Sequence, residues 1–231
     1  MKKPTLILSV VLAFAFAGSV QSRSIDWGGA VADNLFESGG LVFGSDMVFE
    51  LGSFGSGFTP DSTNLDQWLA NWKVFDRATL GNGWNANPGE QFFTSIANLE
   101  TDGTSSESPP LPSYTFNQGE QGYIWVYKTN QVYAEGLEWA LVTNDGLDGN
   151  AANDWLFPAH SDQTSLPLQW RLSTASTPVF GALNDQQGPG VHASDPPQYD
   201  LQTHTIEPIP EPGSALLLGL GAIPLLRRRR K

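Results

Sequence analysis

Gly122-Tyr123-Ile124-Trp125-Val126-Tyr127-Lys128 decides the fold class. The run is β-branched and aromatic, and turn residues bound it, which is the signature of a strand. Downstream, Leu137-Glu138-Trp139-Ala140-Leu141-Val142-Thr143 alternates and stops at Asn144-Asp145-Gly146, a turn. Leu168-Gln169-Trp170-Arg171-Leu172-Ser173 sets Leu168, Trp170 and Leu172 on one face. From Tyr199 to Ile206, Tyr199, Leu201, Thr203 and Thr205 oppose Asp200, Gln202, His204 and Ile206. Upstream and between, strands are expected at Leu41–Phe43, Met47–Leu51, Gln91–Leu99 and Trp155–Phe157. One segment keeps a different period. Leu65, Trp68, Leu69, Trp72 and Phe75 recur at helical spacing after Pro60-Asp61-Ser62-Thr63. That spacing predicts a helix over about 64–72, packed on the sheets by its two tryptophans.

Short strands punctuated by the chain's 24 glycines and 16 prolines point to an all-β class. The expected architecture is an antiparallel β-sandwich or jelly-roll-like domain with one short helix. No repeat, Gly/Ser linker or charge block divides residues 23–207, which read as one extracellular domain. Thr101–Pro112 reads as an exposed loop, and Gly181–Gln198 is a second broken stretch.

Charge and cysteine content exclude whole classes of function. The 231-residue chain carries a formal net charge of −12. Only Lys73, Arg77, Lys128 and Arg171 lie between Arg23 and Arg227, and all but one of the 24 acids fall from Asp26 to Glu207. So acidic a body is repelled by phosphate backbones, which argues against nucleic acid as a partner. The absence of cysteine removes disulfides, thiol catalysis and Cys-ligated metals together.

Both ends read as addresses. Lys2 and Lys3, the apolar run Leu6–Ala17 and the small residues to Ser22 form a secretory signal peptide, residues 1–22. Val20 and Ser22 suit positions −3 and −1, so cleavage is expected after Ser22, with Ser19 and Ser24 as alternatives. The run is too short to serve as an uncleaved anchor across a core of ~30 Å. At the other end, Pro210-Glu211-Pro212 precedes an apolar segment, 213–226, read as a thin transmembrane helix. Arg227, Arg228, Arg229, Arg230 and Lys231 then form a basic anchor that stays cytoplasmic. Lys2 and Lys3 also stay inside, so the two ends together place the body across the membrane.

The order Pro-Glu-Pro, apolar helix and arginine cluster resembles the PEP-CTERM sorting signal, over about residues 208–231. That signal is carried by exported proteins of Gram-negative-type bacteria that make extracellular polysaccharide. The resemblance implies exosortase, an integral-membrane cysteine protease or transpeptidase-like enzyme, as a partner that cuts near Pro210, Glu211 and Pro212. Before processing, the chain would sit anchored in the inner membrane, and afterwards at the cell surface or in the extracellular matrix. Phe49-Glu50-Leu51-Gly52 and Leu201-Gln202-Thr203 also resemble strands in other PEP-CTERM bodies, which are small, acidic, aromatic and all-β.

Within the body, chemistry is harder to find. No H-E-x-x-H, G-x-S-x-G, Walker or Rossmann pattern is present. His160, His192 and His204 each have an acid nearby in sequence but read as solvated side chains. Glu138 is one of many acids that could belong to a glycosidase pair, which needs two carboxyls about 5–10 Å apart. Asp145, Asp148, Asn150 and Asp154 offer hard oxygen ligands for calcium, set against an Asx-rich turn. Among the eight tryptophans, Trp27, Trp84 and Trp155 have loop-like neighbours and are the candidate platforms for stacking on sugar rings. Trp125, Trp139 and Trp170 belong to strands and read as core. The expectation is a non-enzymatic structural or adhesive component associated with extracellular polysaccharide. A carbohydrate-binding module, with calcium as an optional aid, is the alternative, and a glycoside-active enzyme is a third reading.

Overall fold

A computed structural model describes residues 22–31, 33–107, 114–128, 132–146, 149, 151–162 and 164–207. Residues 208–231, expected to form a sorting signal, all of the expected signal peptide but its last residue, and Asp148 and Asn150 lie outside them. The elements are β1 (Arg23–Gly28), β2 (Leu35–Phe36), β3 (Met47–Ser53), α1 (Leu65–Asn71), β4 (Lys73–Leu80), β5 (Gly83–Asn85), β6 (Phe92–Leu99) and β7 (Tyr123–Lys128). They continue with β8 (Glu138–Thr143), β9 (Leu168–Arg171), β10 (Thr177–Phe180), β11 (Ala182–Leu183), β12 (Gln186–Gln187), β13 (Leu201–Gln202) and β14 (His204–Thr205). No helix among the described residues is long and apolar enough to cross a membrane.

The chain is predominantly β, with a curled mixed sheet of ten strands. Its order is β10-β8-β7-β3-β4-β5-β6-β1-β9. β14 joins the outer edge of β8 at Glu138 and Trp139, while β10 covers the same edge at Leu141–Thr143. A smaller sheet runs β12-β11-β13-β2. The expectation of purely antiparallel pairing is corrected: β1–β9, β4–β5 and β2–β13 run parallel. β1, the first strand of the domain, lies between β6 and β9 rather than at an edge.

Two expected strands dissolve. Val42 makes only an isolated bridge to Phe36, and Leu156 only one to Gln121. Around Leu156 the backbone is spent on loops: Trp155 N–H donates to the Asn144 carbonyl and Phe157 N–H to that of Glu120, both at 2.9 Å. The single strand expected over 199–206 divides at Thr203 into β13 and β14, which belong to different sheets. β10 and β11 divide likewise at Gly181, whose φ of +83° suits glycine. A Cβ there would stand 2.7 Å from the Gln202 carbonyl oxygen. Two strands thus switch sheets at one corner, a known way to join packed sheets.

β3, β7 and β8 are buried on both faces. Phe49, Leu51, Ile124, Val126, Ala140 and Val142 face an inner core inside the curled sheet. Trp125, Tyr127, Trp139 and Leu141 face an outer layer covered by α1. The helix is only seven residues long, too short to stand alone, so its burial of Leu65 and Trp68 must hold it. It ends at Trp72, whose extended backbone leads directly into β4. The helix expected over 64–72 therefore forms, one residue shorter at each end.

Candidate functional site

All eight tryptophans are buried. The platform expectation for Trp27, Trp84 and Trp155 is thereby corrected, because stacking on a sugar needs an open ring face. Trp27 Nε1–H donates to Asp76 Oδ2 at 2.7 Å, and Trp84 Nε1–H to the Gly44 carbonyl at 3.1 Å. Trp155 stacks on Trp170 with ring centroids 6.0 Å apart. Their Gly, Asn and Asp neighbours do lie in turns or at strand ends, but the indoles themselves turn inward.

Of the calcium candidates, Asp145 and Asp154 lie among the described residues. Asp145 Oδ1 accepts from Thr177 Oγ1 at 2.7 Å. The Asp154 carboxylate lies against Gly146, where a Cβ would stand 2.8 Å from Oδ2. Asn144, fully buried, anchors the loop: its Nδ2 donates to the carbonyls of Thr174 at 2.6 Å and Asn153 at 3.1 Å. Among the described residues no group of three or more His, Asp or Glu side chains is placed to hold a metal.

The histidines divide. His160 Nε2–H donates to the Phe116 carbonyl at 2.6 Å, away from the other two. His192 and His204 stack with ring centroids 4.7 Å apart. The expectation of a solvated His204 is corrected, since it is fully buried. Its Nδ1–H donates to the Pro189 carbonyl at 2.9 Å. Burial holds its pKa below the usual histidine value, with the nearby His192 ring acting in the same direction. The Pro189 bond and Glu138 act the other way.

Several carboxylates are buried as structural anchors. Glu50 accepts from Arg77 Nε at 2.6 Å, Trp72 Nε1 at 2.7 Å and Tyr127 OH at 2.8 Å. Burial works against the Arg77 charge, but Glu50 and Tyr127 outweigh it and hold the guanidinium above its ordinary pKa. Burial and Glu50 push the Tyr127 phenol well up. The Phe-Glu-Leu-Gly motif thus supplies an internal acceptor. Its Gly52 supplies a close approach, where a Cβ would lie 2.2 Å from the Lys73 carbonyl oxygen. The Leu-Gln-Thr motif is equally internal. Gln202 Nε2 donates to the Ser194 carbonyl at 2.9 Å, and Thr203 Oγ1 donates to Glu138. Glu138 also accepts from Ser38 N at 3.0 Å and Oγ at 2.5 Å, which ties β8 to the loop after β2.

Sequence reasoning passed over the surface depressions. One, about 650 Å³, is lined by neutral groups that include Ser173, Thr174, Ser176, Thr177 and Gln186. A second, about 360 Å³, lies between Asp33 and Arg171, whose guanidinium is already paired with Asp26. A third, about 330 Å³, opens between the loop after β3 and the segment entering β7. Its walls include Ser56, Phe58, Asn117, Gln118, Glu120 and Tyr123. Glu120 is only 5% exposed. Its Oε1 accepts from Asn117 Nδ2 at 2.6 Å and Tyr114 OH at 3.0 Å, and its Oε2 from the same phenol at 3.2 Å. Burial and then Glu120 push the Tyr114 pKa up to about 12. Burial and then Asp145 do the same to Tyr123, also to about 12. Glu120 sits in a polar Asn-Gln-Gly-Glu-Gln run that looks like any turn, and only the Tyr114 contact distinguishes it. No protein-family model, characterised protein or solved structure matches this chain.

Proposed function

We propose that this is an exported, surface-directed protein processed by an exosortase, whose body is a non-catalytic structural or adhesive component associated with extracellular polysaccharide. In this reading the secretion machinery carries out the body, and residues 213–226 hold the chain in the membrane. The enzyme then cuts near Pro210-Glu211-Pro212. In this reading that segment is a substrate and not a catalyst.

The observation that carries the reading is the fit of the packed domain between the two address segments. β1 begins at Arg23, directly after the expected cut at Ser22. The last strand ends at Thr205, and Glu207 is exposed. Cleavage after Ser22 leaves β1 whole. Cleavage after Ser24 would remove Arg23, whose Nη1 donates to the Thr164 carbonyl at 3.0 Å. The body is read as a sandwich or jelly-roll-like unit, the curled sheet closed at one corner by the smaller one. Its buried indoles favour a structural role over sugar binding by tryptophan stacking.

The test is the intact mass of the surface-extracted protein, together with deletion of residues 215–226 in the native bacterium. The reading expects Arg23 as the first residue, a C-terminus near Glu211, and a changed destination on deletion. An unchanged destination overturns it.

A further inference from the structure

We propose that the groove between Phe58 and Glu120 is a binding subsite for one neutral sugar ring. Glu120 would accept hydrogen bonds from ring hydroxyls, and Phe58 would offer an apolar face. The inference goes beyond the structural reading and does not depend on how the chain is sorted.

Four features support it. The first is the state of Glu120. A carboxylate is costly to bury unless hydrogen bonds compensate, and this one is oriented by two neutral donors, Tyr114 and Asn117. Among the described residues it forms no ion pair. An ionised carboxylate has about four acceptor sites. Oε1 takes two donors, whereas Oε2 takes one, at the longer 3.2 Å. Oε2 therefore has capacity left beside the groove.

The second feature is the mixture of groups around that acceptor. Gln118 brings a full amide and Asn117 its carbonyl oxygen, since Asn117 Nδ2 is spent on Glu120 and on the Thr115 carbonyl at 3.2 Å, while Ser56 and Thr59 bring hydroxyls. Sugar hydroxyls both donate and accept, so they match such a mixed set. An ammonium group can only donate and would leave half of it unused. Two other wall residues are occupied: Ser53 Oγ accepts from Gly55 N–H at 3.0 Å, and Gln121 Nε2 donates to Thr143 Oγ1 at 2.7 Å and the Asn144 carbonyl at 2.8 Å. The third feature is the half-buried Phe58 in the wall, an apolar surface for the C–H face of a ring. The fourth is size. At about 330 Å³ the groove falls at the lower end of ligand sites, which span about 300–1,000 Å³, and so suits a single ring. Uronic acids are disfavoured, because Glu120 and the acidic body both repel a carboxylate.

The test uses the full chain in detergent, isotope-labelled for NMR. It is titrated with D-glucose, D-galactose, D-mannose and N-acetyl-D-glucosamine, and with D-glucuronate and ethylammonium as charged probes. The proposal expects at least one neutral sugar to shift the Asn117, Gln118 and Gly119 amide signals saturably. Ser56→Trp, which fills the groove from its exposed rim, and Glu120→Gln should each weaken that binding about tenfold or more. Ser56→Trp should leave Tm unchanged, which separates blocking from unfolding. Three results overturn the proposal: no neutral sugar shifts those signals, binding survives Ser56→Trp, or a charged probe binds there as well as the sugars. None of them bears on the cellular destination, which the tail deletion tests separately.

Discussion

Inside the curled sheet the large contacts mix phenylalanine with indole: Phe49 stacks on Phe93 at 4.1 Å, Phe116 on Phe157 at 4.7 Å, and Trp155 on Trp170 at 6.0 Å. Under α1 they are mainly indole: Trp68 stacks on Trp139 at 5.7 Å, and both meet Trp125 edge-on. The inner core is enclosed by sheet; its phenylalanines fill it at no hydrogen-bonding cost, while Trp27 and Trp84 find Asp76 and the Gly44 carbonyl. The outer layer has a seven-residue helix for a roof, and large rings must bridge what the helix leaves open. Indoles bring N–H groups that need acceptors when buried. Trp72 finds Glu50, and Trp68 finds Asn64 Oδ1 at 2.8 Å. Both layers therefore carry polar anchors, but the one with the thinner cover ties its anchor to a cation, Arg77 on Glu50.

Adjacent residues on β4 sharpen this contrast. Arg77 reaches Glu50 in the outer layer, while Asp76 points inward to Trp27. Glu50→Ala orphans two buried donors, Trp72 Nε1 and Tyr127 OH, while the exposed Arg77 guanidinium turns to water, and should cost about 2–5 kcal/mol. Asp76→Ala removes an acceptor that faces no side-chain cation in its hydrogen bonds and should cost about 1–3 kcal/mol. Denaturant unfolding of the two variants measures the difference, and equal losses would erase the distinction between the layers. Next in size is Gly52→Ala, which drives a Cβ to 2.7 Å from the Trp72 ring and should cost about 1–3 kcal/mol. Gly57→Ala enters open space and should stay within about 0.5 kcal/mol.

The smallest effect is a pH dependence at the rim of the outer layer, where His204 meets Phe180. The folded state lowers the His204 pKa, so the unfolded chain binds its proton more readily. Stability from this group is full above the unfolded value of about 6.5 and is lost as pH falls towards the lower folded value. Unfolding midpoints should therefore drop between about pH 7.5 and about pH 5.5. His204→Gln should flatten that slope, and an unchanged slope would place the titration elsewhere.

The strands that carry the outer layer were legible because β7 and β8 are continuous aromatic and β-branched runs, and the helix because Trp68 and Trp72 keep its period. β4 was hidden: Lys73-Val74-Phe75-Asp76-Arg77 follows the helix without a break, and Phe75 continues its spacing although it packs inward from a strand. β1 was hidden because Trp27 runs straight into Gly28-Gly29, a pair that reads as loop. The platform reading of Trp27, Trp84 and Trp155 failed because neighbouring glycines report on backbone freedom, not on where an indole points. Glu120 was invisible for a related reason: its partner Tyr114 lies across a turn, and nothing in the spacing of the two shows that they meet.

β1 leaves the ribosome before every other strand, yet its neighbour β9 comes near the end of the domain. Asp26 waits 145 positions for Arg171. Until residues 168–171 arrive, the seam beside β1 cannot shut, and pairings between such distant segments form slowly. On the proposed export route, with the N-terminus entering a narrow translocation pore first, this delay would keep the body threadable for most of its length and let it lock only on the far side.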